Sequence, residues 1–487
     1  MLRRCVAAVA AVAAGLVAVA PAAAAPADPL ARFSGQHLDW KSCGNKDLDP
    51  AGARCAEVTV PLDYADPAGR TLAVAISRIP ATDARHRRGI LLFNPGGPGA
   101  GGLAMPARPN ALAPEVRSRY DLIGFDPRGV GRSAPVNCGW KPPTAMMSAG
   151  FDQTGFARDA VYFGGVAASC LAVDGARIRH ITTRNTARDM DLIRAVLGER
   201  TLNYYGVSYG TYLGTVYLQM FGDRADRVLL DSAMDPDATG VGYMGMANEI
   251  ALDDWARWVS AHDGEYHLGA TVPAVRATLA ELQRKVARRP MPWQNFFLDE
   301  HQLPPLLFAF VRDFRVNDLL AKAIRQIAVT PDGAPLRVDG PVQDFLIGQM
   351  ALDNPAFFAV SCGDHEFPHD PQWYWRDIES HRATEPVFGP MVRSVSPCAW
   401  WPAPTESPTA VGNSRPVLIT QSTMDTRTPY HGAVALHHKL TGSRLVTLRD
   451  VRIHGAFRPG LSRCLNDTVN AYFRTGALPP SDRTCTL

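Results

Sequence analysis

The five residues Gly206-Val207-Ser208-Tyr209-Gly210 constrain this chain more than any other feature. They follow a short apolar run, Leu202-Asn203-Tyr204-Tyr205, and lead into residues 211–221, which read as a helix. A serine flanked by glycines at a strand-to-helix junction sits on a turn so sharp that side chains at those two positions would clash. The turn lifts the serine hydroxyl above the sheet, and the helix behind it supplies a backbone N–H and a dipole suited to negative charge. Ser208 is therefore the candidate nucleophile.

Runs like the one before Ser208 recur along the chain. Gly89-Ile90-Leu91-Leu92-Phe93, Tyr120-Asp121-Leu122-Ile123-Gly124-Phe125, Arg227-Val228-Leu229-Leu230, Pro416-Val417-Leu418-Ile419-Thr420 and Arg444-Leu445-Val446-Thr447-Leu448 are apolar without alternation. Strands apolar on both faces belong in a mostly parallel sheet covered by helices. Residues 56–61 and 71–78 do alternate, with a turn-rich stretch between them, and read as an antiparallel hairpin opening the sheet. Residues 185–197 place Ala187, Met190, Ile193 and Leu197 on one helical face. A chain of 487 residues exceeds what one core usually fills, so an inserted or second domain is expected. Residues 237–409 supply it: helix-like runs at 248–262, 274–287 and 319–327, then a Trp- and Pro-rich stretch at 368–404, with almost no buried-strand signal. They precede the last two strands of the series. The expected architecture is an α/β-hydrolase fold, its sheet domain split between residues 26–236 and 410–487 around a largely helical cap at 237–409.

A serine at neutral pH needs a base, and the base needs an acid to orient it. In this fold both follow later strands, in the order serine, acid, histidine. Asp425 lies just past the strand ending at Thr420, and His454 follows the last strand in Arg452-Ile453-His454-Gly455. His431, His437 and His438 fall on a helix after the acid loop, and Asp450 comes too late for the acid position. The glycine-rich Asn94-Pro95-Gly96-Gly97-Pro98-Gly99-Ala100-Gly101-Gly102 follows the strand at Phe93 and can bring backbone N–H groups close to a substrate oxygen. The amides of Gly97 and Tyr209 are the expected oxyanion donors. No Gly-Lys-Ser/Thr closes that loop, so it does not read as a phosphate loop.

The start of the chain indicates its compartment. Met1-Leu2-Arg3-Arg4 is basic, an apolar run follows it, and Pro21-Ala22-Ala23-Ala24-Ala25-Pro26 offers small residues for cleavage. Residues 1–25 thus read as a signal peptide cut near Ala25, with a short propeptide over residues 26–36 left open. The apolar run is short of the ~20 residues needed to span a membrane. Of nine cysteines, all but Cys5 lie beyond this segment, an even set in a compartment where disulfides persist. Their grouping suggests Cys43 with Cys55, Cys138 with Cys170, Cys362 with Cys398 and Cys464 with Cys485. None forms a C-x-x-C pair, so no structural metal is expected, and no cofactor either. With 50 basic and 47 acidic side chains and no long run of one sign, nothing points to nucleic acid or an anionic membrane as partner.

Asn94–Gly99, Phe125-Asp126-Pro127-Arg128-Gly129-Val130-Gly131-Arg132-Ser133, Gly206–Gly214, the opening Trp40…Cys43…Cys55 and the tail Cys464…Leu478-Pro479-Pro480…Cys485 resemble the exported tripeptidyl aminopeptidases of actinobacteria. These are relatives of prolyl aminopeptidase in the α/β-hydrolase superfamily. The resemblance covers nearly all of the mature chain, with the cap matching only in places. It implies Ser208, Asp425 and His454 as the triad, and release of short peptides or single residues from free N-termini. Two departures stand out: Ala100-Gly101-Gly102 where relatives tend to end the loop in glycine-serine-glycine, and Cys362-Gly363-Asp364 where they usually carry Cys-Asn-Asp. An aminopeptidase must hold a protonated amine, which calls for a carboxylate in the cap. Asp364 and Glu366 are the candidates, against a merely solvated pair beside a disulfide.

These features read together as a secreted serine exopeptidase releasing short peptides, tripeptides by resemblance, through an acyl-enzyme. A secreted esterase or amidase acting on a small molecule is the alternative on the same fold. A binding protein that has lost catalysis is a third, opposed by the intact triad candidates.

Overall fold

Strands that are apolar on both faces are satisfied only inside a sheet covered by helices, and the computed structural model of the chain places them there. It describes residues 1, 28–139, 147–294, 296–338, 340, 343 and 355–487. Apart from Met1, the expected signal segment and its cleavage point lie outside the described residues. The chain runs through β1 (Lys41–Ser42), β2 (Arg54–Pro61), β3 (Thr71–Ile79), β4 (Ile90–Asn94), β5 (Asp121–Phe125), β6 (Leu202–Val207) and β7 (Ala225–Asp231). After the cap come β10 (Val417–Ser422), β11 (Ser443–Leu448) and β12 (Arg483–Cys485). These ten form one sheet in the order β1-β2-β3-β5-β4-β6-β7-β10-β11-β12. The pairings up to β3–β5 are antiparallel and all later ones are parallel. Every residue of β4, β5 and β10 is buried.

One face of the sheet is covered by helices Gln153–Ile178, Thr183–Val196 and Tyr209–Phe221, and the other by Arg463–Thr475. The stripe predicted on the second of these is real: Ala187, Met190 and Ile193 are fully buried. The short edge strands β1 and β12 had no visible run in the sequence. Phe33, in the stretch left open as a propeptide, is buried in the main core, and Gln36 exchanges hydrogen bonds with Thr59.

Between β7 and β10 the cap carries helices Gly245–Ser260, Val272–Arg288, Leu303–Val311, Asn317–Val329, Pro355–Asp364 and Pro371–His381. It also contains a two-stranded hairpin, β8 (Met291–Trp293) with β9 (Phe296–Leu298), within the cap read as largely helical. The first four helices enclose a core of their own around Trp255, Leu306, Phe310 and Ile324. The later part is built differently: Phe358, Val360, Tyr374, Ile378 and Trp401 merge into the main core. Disulfides join Cys43 to Cys55, Cys138 to Cys170, Cys362 to Cys398 and Cys464 to Cys485. The third ties two segments of that later part together.

Arg128 shows how the Phe125–Ser133 motif holds the frame. It is fully buried, pairs with Asp189 at 2.6 Å, and donates to the carbonyls of Pro61, Leu62 and His180. Asp126 beside it accepts from the backbone N–H groups of Leu103 and Arg132, fixing the end of the glycine-rich loop.

Candidate active site

Ser208 stands at the end of β6 with φ 59° and ψ −128°, a strained conformation for a residue with a side chain. Its flanking glycines are dictated by contact. A Cβ on Gly206 would lie 2.4 Å from the carbonyl oxygen of Gly210, and one on Gly210 would lie 2.7 Å from that of Asn94. The turn is anchored from the neighbouring strand, because the Ser208 N–H donates to the Asp231 carbonyl at 3.0 Å.

Asp425 and His454 meet. His454 Nδ1 lies 2.9 Å from both carboxylate oxygens of Asp425, which is 2% exposed. Burial pushes the Asp425 carboxyl up, but the His454 charge and hydrogen bond, with donors from Ser232 and the Thr428 backbone, outweigh it and hold it below the usual carboxylate range. Strand β10 extends to Ser422, so the acid sits in the turn directly beyond the strand end. Among the described residues no hydrogen bond joins Ser208 Oγ to His454. What links their loops is Asp231, which the sequence reading did not single out. Its backbone holds Ser208, while its carboxylate accepts from the Ala456 N–H at 2.9 Å, from the Phe457 N–H and from Thr420 Oγ1 at 2.7 Å. Ser232 Oγ accepts from the Gly455 N–H at 2.7 Å. The signal available was a carboxylate directly after the apolar run Val228-Leu229-Leu230, which costs too much to bury without several donors.

The glycine-rich loop lies against this turn. Gly96 has φ 93°, and a Cβ there would lie 2.4 Å from the Val207 carbonyl oxygen and 3.0 Å from the Tyr209 amide. Gly97 and Tyr209 line one cavity together with Ser208.

That cavity, about 500 Å³, is roofed by the later part of the cap. Its wall is mostly apolar, with Phe163, Phe358, Phe367, Trp373 and Met391 among its members. Asp364 lines it and is 8% exposed; it accepts from the N–H of Thr183 at 2.8 Å and from the Thr183 hydroxyl. Burial raises its pKa to about 7 against the pull of the Thr183 donors and of Arg184. The Thr183 hydroxyl also bonds the Tyr209 hydroxyl, which connects Asp364 to the residue after Ser208. Glu366 is a correction: beyond the end of the helix Pro355–Asp364 it is exposed and outside the cavity lining, while its neighbours His365 and Phe367 line the cavity. Asp377 also lines the cavity but is paired with Arg393 at 3.2 Å. Arg427, two residues after Asp425, faces the cavity as well, and the sequence reading missed it. Among the described residues no cluster of side chains has metal-ligating geometry.

The chain is similar to known proteins along most of its length. Residues 89–289 match the family described as alpha/beta hydrolase fold, and residues 385–485 the family described as TAP-like protein. The chain is 37% identical over 486 residues to the tripeptidyl aminopeptidase of Streptomyces coelicolor, covering 93% of this chain and 87% of that one. It is 30% identical over 526 residues to the serine protease Hip1 of Mycobacterium tuberculosis, covering 98% and 96%. It is also 30% identical over 503 residues to carboxylesterase B of M. tuberculosis, covering 92% and 89%.

Proposed function

Starting from the fact that this chain belongs to the tripeptidyl aminopeptidase family of α/β hydrolases and is a serine peptidase, we propose that it is exported and releases tripeptides from free N-termini. The observation that carries the proposal is a buried carboxylate, Asp364, in the same apolar cavity as Ser208.

In this reading His454 takes the proton of Ser208 as the hydroxyl oxygen attacks the scissile carbonyl carbon. Asp425 fixes the imidazole tautomer and stabilises the imidazolium. The amides of Gly97 and Tyr209 receive the oxyanion, each such donor typically lowering the barrier by about 3 kcal/mol. His454 then protonates the leaving amine, and water hydrolyses the acyl-enzyme by the same route. Asp364 holds the substrate ammonium: a carboxylate that is costly to ionise in the empty cavity gains most from an incoming cation. The depth between Asp364 and Ser208 then sets how many residues are released. Export is supported by the basic and apolar start of the sequence and by four disulfides among the described residues.

The test is turnover of chromogenic Ala-Pro-Ala and single-residue amides, each with a free and an acetylated N-terminus. Cleavage confined to the free-amine tripeptide is expected. Cleavage of short esters without any peptide turnover would instead favour an esterase, the reading that the likeness to carboxylesterase B supports.

A further inference from the structure

Arg427 lines the cavity that holds Ser208, and every acceptor that its side chain reaches is uncharged. Nη1 donates to Asn248 Oδ1 and Thr426 Oγ1, each at 3.0 Å, and Nη2 donates to the Phe308 carbonyl. The guanidinium carbon lies over the Phe308 ring, 3.3 Å from its centroid. Among the described residues neither a carboxylate pairs with it nor an acceptor meets its Nε–H. The nearby carboxylate of Asp425 is already taken by His454 and by the N–H groups of Arg427 and Thr428. One further guanidinium, Arg312, stands within electrostatic reach of it, and Arg458 stands within reach of Arg312. Arg312 repels Arg427 and has no ion pair of its own among the described residues, while Arg458 donates to the backbone carbonyls of His454 and Gly455. Burial, then the Arg312 charge, bring Arg427 well below the usual guanidinium range, against the opposing pull of Asp425 and Tyr243.

A cation held on an aromatic face in an apolar cavity and left without an anion is poorly stabilised until one arrives. Its planar fork with free N–H groups matches a carboxylate. We infer that Arg427 is a specificity residue that receives a carboxylate of the peptide substrate, so that the cavity selects a short peptide bearing an ammonium at one end and a carboxylate further along. The inference rests on the peptidase reading above, with Asp364 lining the same cavity. The carboxylate comes from the C-terminus of a short peptide or from an acidic side chain beyond the cleaved bond, and the two are separable.

Three tetrapeptides make the test: Ala-Pro-Ala-Ala as the free acid, its C-terminal amide, and Ala-Pro-Ala-Asp amide, with tripeptide release followed by mass spectrometry. The wild-type enzyme is expected to favour a carboxylate over the plain amide by about 10-fold or more in kcat/KM, in line with a charge-assisted hydrogen bond. Preference for the free acid alone identifies the C-terminus, and equal preference for the aspartyl amide identifies the side chain. In Arg427→Met the acid-to-amide ratio should fall close to one, while Arg427→Lys retains part of it. Arg427→Gln serves instead if the Met variant does not fold. A wild-type ratio near one for both carboxylates, or an undiminished ratio in the variant, would overturn the inference. Acetylating all three peptides separates the two readings: loss of N-terminal selectivity would leave the acid-to-amide ratio measurable.

Discussion

The floor and the roof of the cavity are built on different principles. On the floor, Ser208, Asp425 and His454 come from the ends of buried strands or the loops just beyond them, and the loops of Ser208 and His454 are tied through Asp231 at the end of one strand and Ser232 just beyond it. Backbone hydrogen bonds and the burial of Asp231, Ser232 and Asp425 leave little freedom there. The roof is made of helices, a disulfide and side chains from segments far apart in sequence. It meets the sheet domain through packing and a few polar contacts such as that between Asp364 and Thr183. On the function proposed above, chemistry falls to the rigid part and selection to the part that can vary without disturbing the sheet.

The largest effect should come from the floor. Ser208→Ala is expected to lower kcat by roughly 10⁶-fold, since members of such a triad act as a unit, while the melting temperature stays nearly unchanged. Asp425→Asn should cost about 10⁴-fold by favouring the wrong imidazole tautomer. If either variant instead unfolded with its activity, the floor would be structural rather than catalytic.

A cut in the roof should separate stability from chemistry. Trp255→Ala, in the independent core of the cap, is expected to cost about 3–5 kcal/mol, read by denaturant titration. Fluorophosphonate labelling of Ser208 should survive in the folded fraction; its loss would mean that cap and triad form one cooperative unit. Replacing Cys362 and Cys398 by serine opens a loop of sequence separation 36 and should cost about 3–4 kcal/mol on the chain-entropy account. Its effect on peptide selectivity should exceed that on ester turnover.

The smallest effect is a pH dependence. Asp364 titrates near 7 in the free enzyme because burial raises it, so below that pH it is protonated and offers no charge to an amine. The free-amine to acetylated ratio in kcat/KM should therefore rise as pH increases through about 7. It should fall again once the substrate amine, with an ordinary pKa of about 8, loses its proton. For folding the sign is opposite: this carboxyl binds its proton more tightly folded than unfolded. Its contribution to stability is full below 3.8 and is lost as pH rises toward about 7. A flat ratio across this range would remove Asp364 from recognition.

Much of the floor was legible because its signals are local. Gly206 and Gly210 are forced by backbone approach, and the runs around Leu91, Ile123 and Leu229 are apolar because both of their faces are covered. Asp425 and His454 could be placed because each follows such a run. The roof was legible only as a helical insertion. Which carboxylate faces inward depends on where the helix Pro355–Asp364 stops, so Asp364 and Glu366 looked equivalent although only the first lines the cavity. Asp231 and Arg427 escaped notice because their roles arise from contacts between distant segments, and no periodicity encodes those. The hairpin β8–β9 was missed for a related reason: its strands are three residues each, too short to show a pattern.

The account stands or falls on whether the roof selects while the floor reacts. The direct measurement is kcat/KM for free and acetylated Ala-Pro-Ala chromogenic amides with the wild-type enzyme and with Asp364→Asn. The prediction is a strong free-amine preference that falls by about 10–100-fold in the variant, the value of one charged hydrogen bond, with fluorophosphonate labelling of Ser208 intact. An unchanged preference in Asp364→Asn, or equal turnover of both substrates by the wild-type enzyme, would contradict it.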